Sequence, residues 1–370
     1  MSGGGRRATG AWLPGDPPGR RQFAQLFTDR PLQLDLGGQL GPITLAYESW
    51  GQLNSQRSNG VLLLHGFSGD SHAAGPAEAG HPSPGWWDAM VGPGRPVDTQ
   101  RFFVVCPNAL GGCQGSTGPS AAAPDGRPYG SRLPALTIRD LVAAELALAD
   151  QLGIARWHGV IGGSMGGMRA LEWAVTAPQR VANLLLMATA AATGADQIAQ
   201  HQAQIEAIRL DPLFNGGDYD TNATPPLRGL LLARGLATLG YSSREALEQQ
   251  FGRQQEPAGC FAINTYLRQE GEALARRFDA NSYIALSQAM NHHDIGRERG
   301  GMAAALERIT ARTSVVSIRS DRLFPPEQQR QISRGLRSLI GHHNLDSIGG
   351  HDGFLTEVEQ LEPIVRELLG

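Results

Sequence analysis

Three cysteines in 370 residues exclude a disulfide framework, because Cys106, Cys113 and Cys260 are odd in number and widely spaced. None forms the C-x-x-C spacing of a zinc site, so they are expected to be reduced packing residues in a cytoplasmic protein. Excess positive charge is also missing. With 32 Lys and Arg against 35 Asp and Glu, the net charge is -3 and the chain offers no basic face for nucleic acid. A small-molecule substrate is therefore expected. Long hydrophobic runs are absent too: apolar stretches such as Asn183 to Ala192 fall well short of the roughly 20 residues that cross a bilayer. The polar start, Met1 to Arg7, is followed by no apolar signal segment, so neither export nor a membrane anchor is expected. The histidine neighbours His292-His293-Asp294 and His342-His343 lack the i, i+4 spacing of a helical metal site, and no metal is expected.

Glycine, by contrast, is plentiful, and it is placed informatively. Gly162-Gly163-Ser164-Met165-Gly166 lies between an apolar run, Trp157 to Ile161, and a helical pattern carrying Leu171, Trp173 and Ala174. In this strand, turn and helix setting a G-x-S-x-G sequence holds a serine on a tight elbow, where side chains larger than hydrogen collide. Ser164 is thus a candidate nucleophile, and it needs a base and an orienting acid later in the chain. Asp321 follows the β-like run Ser314 to Ile318. His351 follows a short strand candidate, Asn344 to Ile348, and precedes a helix whose Thr356 and Glu359 form a capping-box pattern. The order Ser, Asp, His matches the elbow architecture, with Asp346 as the next candidate for the acid. The oxyanion made by attack of Ser164 requires two backbone donors, assigned to the N–H groups of Met165 and of Phe67 in His65-Gly66-Phe67. His65 itself is expected to be structural.

Short β-branched and aliphatic runs at Ile43 to Glu48, Val61 to Leu64, Phe102 to Cys106, Trp157 to Ile161, Leu184 to Met187 and Ser314 to Ile318 alternate with helical patterns. That alternation predicts an α/β fold, a mostly parallel sheet with helices on both faces. One helix, Ile138 to Leu152, carries an apolar stripe behind a Thr137 to Asp140 cap. From about residue 193 to 310 the β-runs vanish, and helical spacing appears at Gln197 to Leu210, Leu227 to Leu239, Arg244 to Phe251 and Ala262 to Phe278. This organisation predicts a mobile N-terminal arm over 1–30, a core made of 31–192 and 311–370, and a helical lid over 193–310. The loop Gly66 to Gly94, with Trp86-Trp87 inside it, is too long for a connector and is expected to be functional.

Longer blocks point further: Gly69-Asp70-Ser71-His72, Pro84 to Asp88, Gly111 to Pro119, Gly162 to Gly167 with Ala170 to Trp173, His293 to Arg297, and Gly350 to Leu355. Over about Leu34 to Leu369 the chain resembles the homoserine O-acyltransferases of the α/β-hydrolase superfamily, most closely the acetyltransferase branch. The resemblance implies transfer of an acetyl group from acetyl-CoA to the hydroxyl of L-homoserine through an acyl-Ser164 intermediate, toward methionine, by a homodimer that needs no bound cofactor. It also implies that Arg234 grips the acceptor carboxylate, that Asp352 meets its ammonium, and that Tyr241 helps at the carboxylate. Leu323, two residues after the acid, stands where succinylating members carry Arg, which favours acetyl-CoA; Arg322 lies one residue off. The family commonly has Ala-Leu-Thr where this chain has Gly66-Phe67-Ser68, and a paired Arg where it has Arg234-Gly235. Acyl transfer to serine, succinyl transfer, and an esterase or thioesterase on the same scaffold are the competing readings.

Overall fold

In the computed structural model, residues 9–219, 226–257 and 259–370 are described. Eight strands form the central sheet: β1 (Gln22–Leu26), β2 (Ile43–Trp50), β3 (Gly60–Leu64), β4 (Phe103–Pro107), β5 (Trp157–Gly163), β6 (Val181–Met187), β7 (Arg312–Ile318) and β8 (Leu339–Leu345). Their order across the sheet is β1-β2-β4-β3-β5-β6-β7-β8. Pairing is antiparallel at β1·β2 and β2·β4 and parallel from β4 onward. Strands β3, β5 and β6 are buried almost end to end, as expected where helices cover both faces of a parallel sheet.

Helix α1 (Ile138–Gln151) starts where the cap was expected: Asp140 accepts hydrogen bonds from the Thr137 backbone N–H (2.8 Å) and hydroxyl (3.0 Å). Helix α2 (Met165–Thr176) leaves the elbow and is almost wholly buried. Between β6 and β7 the chain builds the lid from α3 (Ala195–Arg209), α4 (Leu227–Tyr241), α5 (Arg244–Gln250), α6 (Ala262–Ala275), α7 (Ala280–Asn291) and α8 (Met302–Glu307). Helices α9 (Pro326–Gly335), α10 (Gly353–Thr356) and α11 (Val358–Leu369) complete the core.

Four expectations change. Within the arm expected over 1–30, residues 1–8 lie outside the described residues, but the rest is built in. Gly10 N–H donates to Phe278 O, the Thr9 hydroxyl donates to Asp279, and β1 pairs along its whole length with β2. The last strand is β8, starting five residues before Asn344 and ending at Leu345, because pairing with β7 sets its register. Thr356 ends α10 rather than capping a helix, and α11 opens at Val358. Cys106 and Cys113 are buried, whereas Cys260 is exposed on the lid.

One buried ion pair ties α1, α2 and the strand ends together. Arg169 Nε donates to Glu145 Oε1 (2.7 Å), and its other nitrogens reach His65 O (3.3 Å) and Pro107 O (3.4 Å); Trp173 Nε1 donates to the second Glu145 oxygen (2.7 Å). Removing one partner strands a charge in the core. Arg169→Met is therefore expected to destabilise the fold by about 3–5 kcal/mol, measured as a lower urea midpoint, and Arg169→Met/Glu145→Leu is expected to lose less.

Candidate active site

Ser164 sits between β5 and α2 with φ 58° and ψ -127°, a conformation side chains rarely adopt. Its N–H donates to Met187 O (3.0 Å), and its carbonyl accepts from the Thr189 hydroxyl (2.9 Å), which holds the strained backbone. The flanking glycines are required by close backbone approach. A Cβ at Gly166 would lie 1.9 Å from Leu64 O, and one at Gly162 would lie 2.1 Å from Gly166 O.

The three residues expected to cooperate do meet. His351 Nε2 lies 2.8 Å from Ser164 Oγ, and His351 Nδ1 lies 2.8 Å from Asp321 Oδ2. Asp321 accepts two further hydrogen bonds at Oδ1, from the backbone N–H groups of Leu323 and Phe324, both at 2.9 Å, so its carboxylate is held in place against the ring. All three side chains are buried. Burial opposes a charged imidazole, but the charge and hydrogen bond of Asp321 outweigh it, and the His351 pKa is raised above 6.5. Asp346, the alternative acid, is exposed and pairs with Arg319.

Phe67 lines the cavity at this centre and Met165 opens α2 directly after Ser164, and neither N–H donates elsewhere among the described residues, which leaves both available to an oxyanion. His65 is structural: its Nε2 accepts from Ala109 N–H (3.1 Å), and Nδ1 donates to Gly66 O (2.7 Å). Burial, aided by Arg169, pulls its pKa down to about 3, so it stays neutral. Trp86, from the long loop, lines the same cavity and donates to Asp70 O (3.0 Å).

That cavity, about 230 Å³, brings Ser164 and His351 together with Arg234, Tyr241 and Asp352. Arg234 lies over the Tyr241 ring, 5.2 Å from its centroid, and donates to Glu270 (3.0 Å). Burial opposes its charge, but Tyr241, Glu270 and Asp352 outweigh that effect and raise its pKa. Its Nε has no partner among the described residues. Glu270, on α6, escaped the sequence reading because only tertiary packing sets it against Arg234. Tyr241 also accepts the His351 backbone N–H (2.7 Å) at its carbonyl, so the lid holds the base in place. A second, smaller cavity of about 10 Å³ adjoins Ser164 and includes Leu323. Arg322 points elsewhere, into an exposed groove with Arg244 and Phe251.

Among the described residues, Glu48, His72 and His81 form a buried cluster with metal-binding donor types. His72 Nδ1 lies 3.0 Å from Glu48, and its Nε2 lies 3.2 Å from Pro76 O. The two imidazoles stack at 3.9 Å and only 10°, so their in-plane lone pairs run parallel instead of converging on one ion. Desolvation opposes the His72 charge, but Glu48 outweighs it and raises the pKa, as in a buried ion pair. His293 is a separate core residue on Ala190 O, and His342 meets Ser317.

A nucleophilic serine on a strand-to-helix elbow, with its base and acid in this order, defines the α/β-hydrolase class, and the family profile for that fold matches residues 59–358. The chain is 53% identical over 369 residues to the homoserine O-acetyltransferase of Thermobifida fusca, covering 98% of this chain and 97% of that protein. It is 45% identical over 345 residues to that of Mycobacterium tuberculosis, covering 92% and 91%. Among solved structures, the homoserine O-acetyltransferase of Bacillus anthracis superposes with a TM-score of 0.86 at 28% identity, covering 95% of this chain and 97% of that one. Esterase E22 does so with 0.86 at 30%, covering 95% and 99%. The chain belongs to the homoserine O-acetyltransferase family of α/β-hydrolase-fold proteins, and it is an acyltransferase.

Attack by Ser164 requires neutral His351, so acylation by p-nitrophenyl acetate is expected to fall as pH drops, with a midpoint above 6.5. The raised pKa stabilises the fold below about 6.5, where both states are protonated, and that contribution is lost as pH rises through the folded value. Asp321→Asn is expected to reduce turnover by about 10⁴ while leaving the unfolding free energy from urea titration within about 1 kcal/mol of wild type.

Proposed function

We propose that the enzyme transfers an acetyl group from acetyl-CoA to the side-chain hydroxyl of L-homoserine, giving O-acetyl-L-homoserine and CoA in methionine biosynthesis. The observation that carries this reading is the convergence of Ser164, His351, Arg234 and Asp352 on one cavity. A zwitterionic acceptor presents a carboxylate and an ammonium, and charge-assisted bonds in a half-enclosed pocket are strong. Arg234, with its unpartnered Nε, meets the carboxylate with Tyr241 beside it, and Asp352 meets the ammonium.

The reaction runs in two displacements. Ser164 Oγ attacks the thioester carbonyl while His351 Nε2 takes its proton, and the oxyanion is held by the N–H groups of Phe67 and Met165. Collapse breaks the C–S bond, and His351 returns the proton to the departing thiolate. Homoserine then gives its hydroxyl proton to His351 and attacks the acyl-Ser164 ester; the second collapse reprotonates Ser164 and frees the product. No metal or bound cofactor enters these steps.

For the donor, the small cavity beside Ser164 supports acetyl over succinyl. Its lining includes Leu323, Met290 and Ala237 with the neutral side chains Gln200 and Gln204, and His201, whose pKa burial lowers. A succinyl carboxylate there would lose water without meeting a cation. Leu323→Arg is expected to raise succinyl use relative to acetyl. On the lid, Leu232, Leu236 and Leu239 make an exposed apolar stripe on α4, which supports a homodimer through that surface. Leu232→Glu/Leu239→Glu is expected to give monomers by light scattering. No helix among the described residues is long and apolar enough to cross a membrane, and a cytoplasmic location accompanies the proposal.

Peptide mapping after labelled acetyl-CoA tests the intermediate: label is expected on Ser164 and absent in Ser164→Ala. The chain contains no lysine, so adventitious acetylation of ε-amines cannot obscure the result. Arg234→Ala and Asp352→Ala are expected to acylate at near wild-type rate in a single turnover yet to lose about 100-fold in homoserine use, consistent with losing one charge contact each of about 1.5–3 kcal/mol. Slow acylation in both would sink the acceptor assignment. The likeness to esterase E22 keeps hydrolysis as a second reading, favoured if acetate release is the same with and without homoserine.

A further inference from the structure

Two cavities meet at Ser164, and the direction of proton transfer decides which one receives the acyl tail. His351 must stand beside every atom that gains or loses a proton, the departing sulfur and the arriving hydroxyl alike. It lines the larger cavity, with Arg234 and Asp352, and not the smaller. Leaving group and acceptor therefore occupy the larger space in turn. The tail, on the other side of the same carbonyl carbon, enters the smaller one. That space measures about 10 Å³, room for one water-sized group, and a methyl fills it.

We propose that Met290 is the residue that limits the acyl group to two carbons. The inference rests on the acyl-Ser164 reading but not on the identity of the acceptor. Met290 is 2% exposed near the end of α7, and its backbone carbonyl accepts both His293 N–H (3.0 Å) and the Thr193 hydroxyl (2.5 Å). Other parts of the wall are bound to tasks of their own. Gln204 accepts from the Tyr283 hydroxyl (2.8 Å), and His201 Nδ1 donates to Asn291 Oδ1 (2.6 Å). Leu323 donates its N–H to Asp321, and Ala237 has little side chain to withdraw. The Met290 thioether makes no hydrogen bond among the described residues, and its unbranched side chain lines the cavity beside those fixed groups. Shortening it enlarges the tail cavity without touching the triad or a polar network.

Burst acylation by p-nitrophenyl acetate, propionate and butyrate reads this cavity directly, without CoA or acceptor. Wild type is expected to lose at least about tenfold in acylation rate per added methylene. Met290→Ala is expected to raise the butyrate-to-acetate ratio at least about tenfold, with a wild-type-like circular dichroism spectrum and a cooperative urea transition showing that the variant is folded. Should Met290→Ala give no burst with any ester, Met290→Val is used, with the same direction expected. Equal acetate and butyrate rates in wild type would overturn the proposal, and so would an unchanged ratio in a folded Met290 variant or a shift produced only by Leu323→Ala. Failure to form O-acetyl-L-homoserine would instead count against the acceptor reading, since the ester ratios do not depend on it.

Discussion

The close approach of α2 to the ends of β3 and β5 is the constraint on which the site depends. With a hydrogen in place of Cβ at Gly162 and Gly166, the helix start comes against Leu64 O, and Ser164 is driven into its strained conformation at the apex. Such strain costs about 1–3 kcal/mol, and the almost wholly buried α2 beneath it supplies the offsetting packing. The same approach puts Met165 at the helix start, and β3 leads into Phe67; neither N–H donates among the described residues. Nucleophile and oxyanion donors are thus consequences of a single backbone geometry.

The lid is a working part of this machinery. Tyr241 offers its ring to the acceptor cavity and its carbonyl to His351 N–H, while the Ser243 hydroxyl binds Ile348 O on the loop that carries His351. A Cβ at Gly350 would lie 2.1 Å from Tyr241 O, so glycine there allows lid and loop to touch. The helix that brings Arg234 and Tyr241 into the cavity is therefore the helix that positions the base. Beneath the opposite wall, Arg169 does the equivalent for the oxyanion loop by holding His65 O and Pro107 O from the core.

Charge inside the site is segregated by side. Arg234, Arg277 and Asp352 line the larger cavity, with Glu270 behind Arg234, whereas no carboxylate or arginine lines the smaller one. This asymmetry lets the protein solvate ionic groups on one side of Ser164 and exclude them on the other. The cation in the larger cavity at Arg234 is a planar, multiply donating guanidinium, which binds Glu270 while its Nε has no partner among the described residues.

By itself the sequence determined the elements whose signals are local. Glycines around Ser164, the apolar runs of β3 and β5 to β7, the Thr137 to Asp140 cap and the order of Ser164, Asp321 and His351 follow from sterics, periodicity and hydrogen bonding within a few residues. Strand β1 was not legible, since a short run with Gln22 and Gln25 becomes a strand only by pairing with β2. Strand β8 was displaced because its histidines and Asn344 lie at a half-exposed sheet edge, where no continuous apolar run is needed. Likewise Glu270 on Arg234, the stacked His72 and His81, and Met290 beside Ser164 join residues far apart in the chain. Only tertiary structure decided those contacts, because the free energy that places them comes from packing the lid on the core, and a linear pattern does not record which distant side chains that packing brings together.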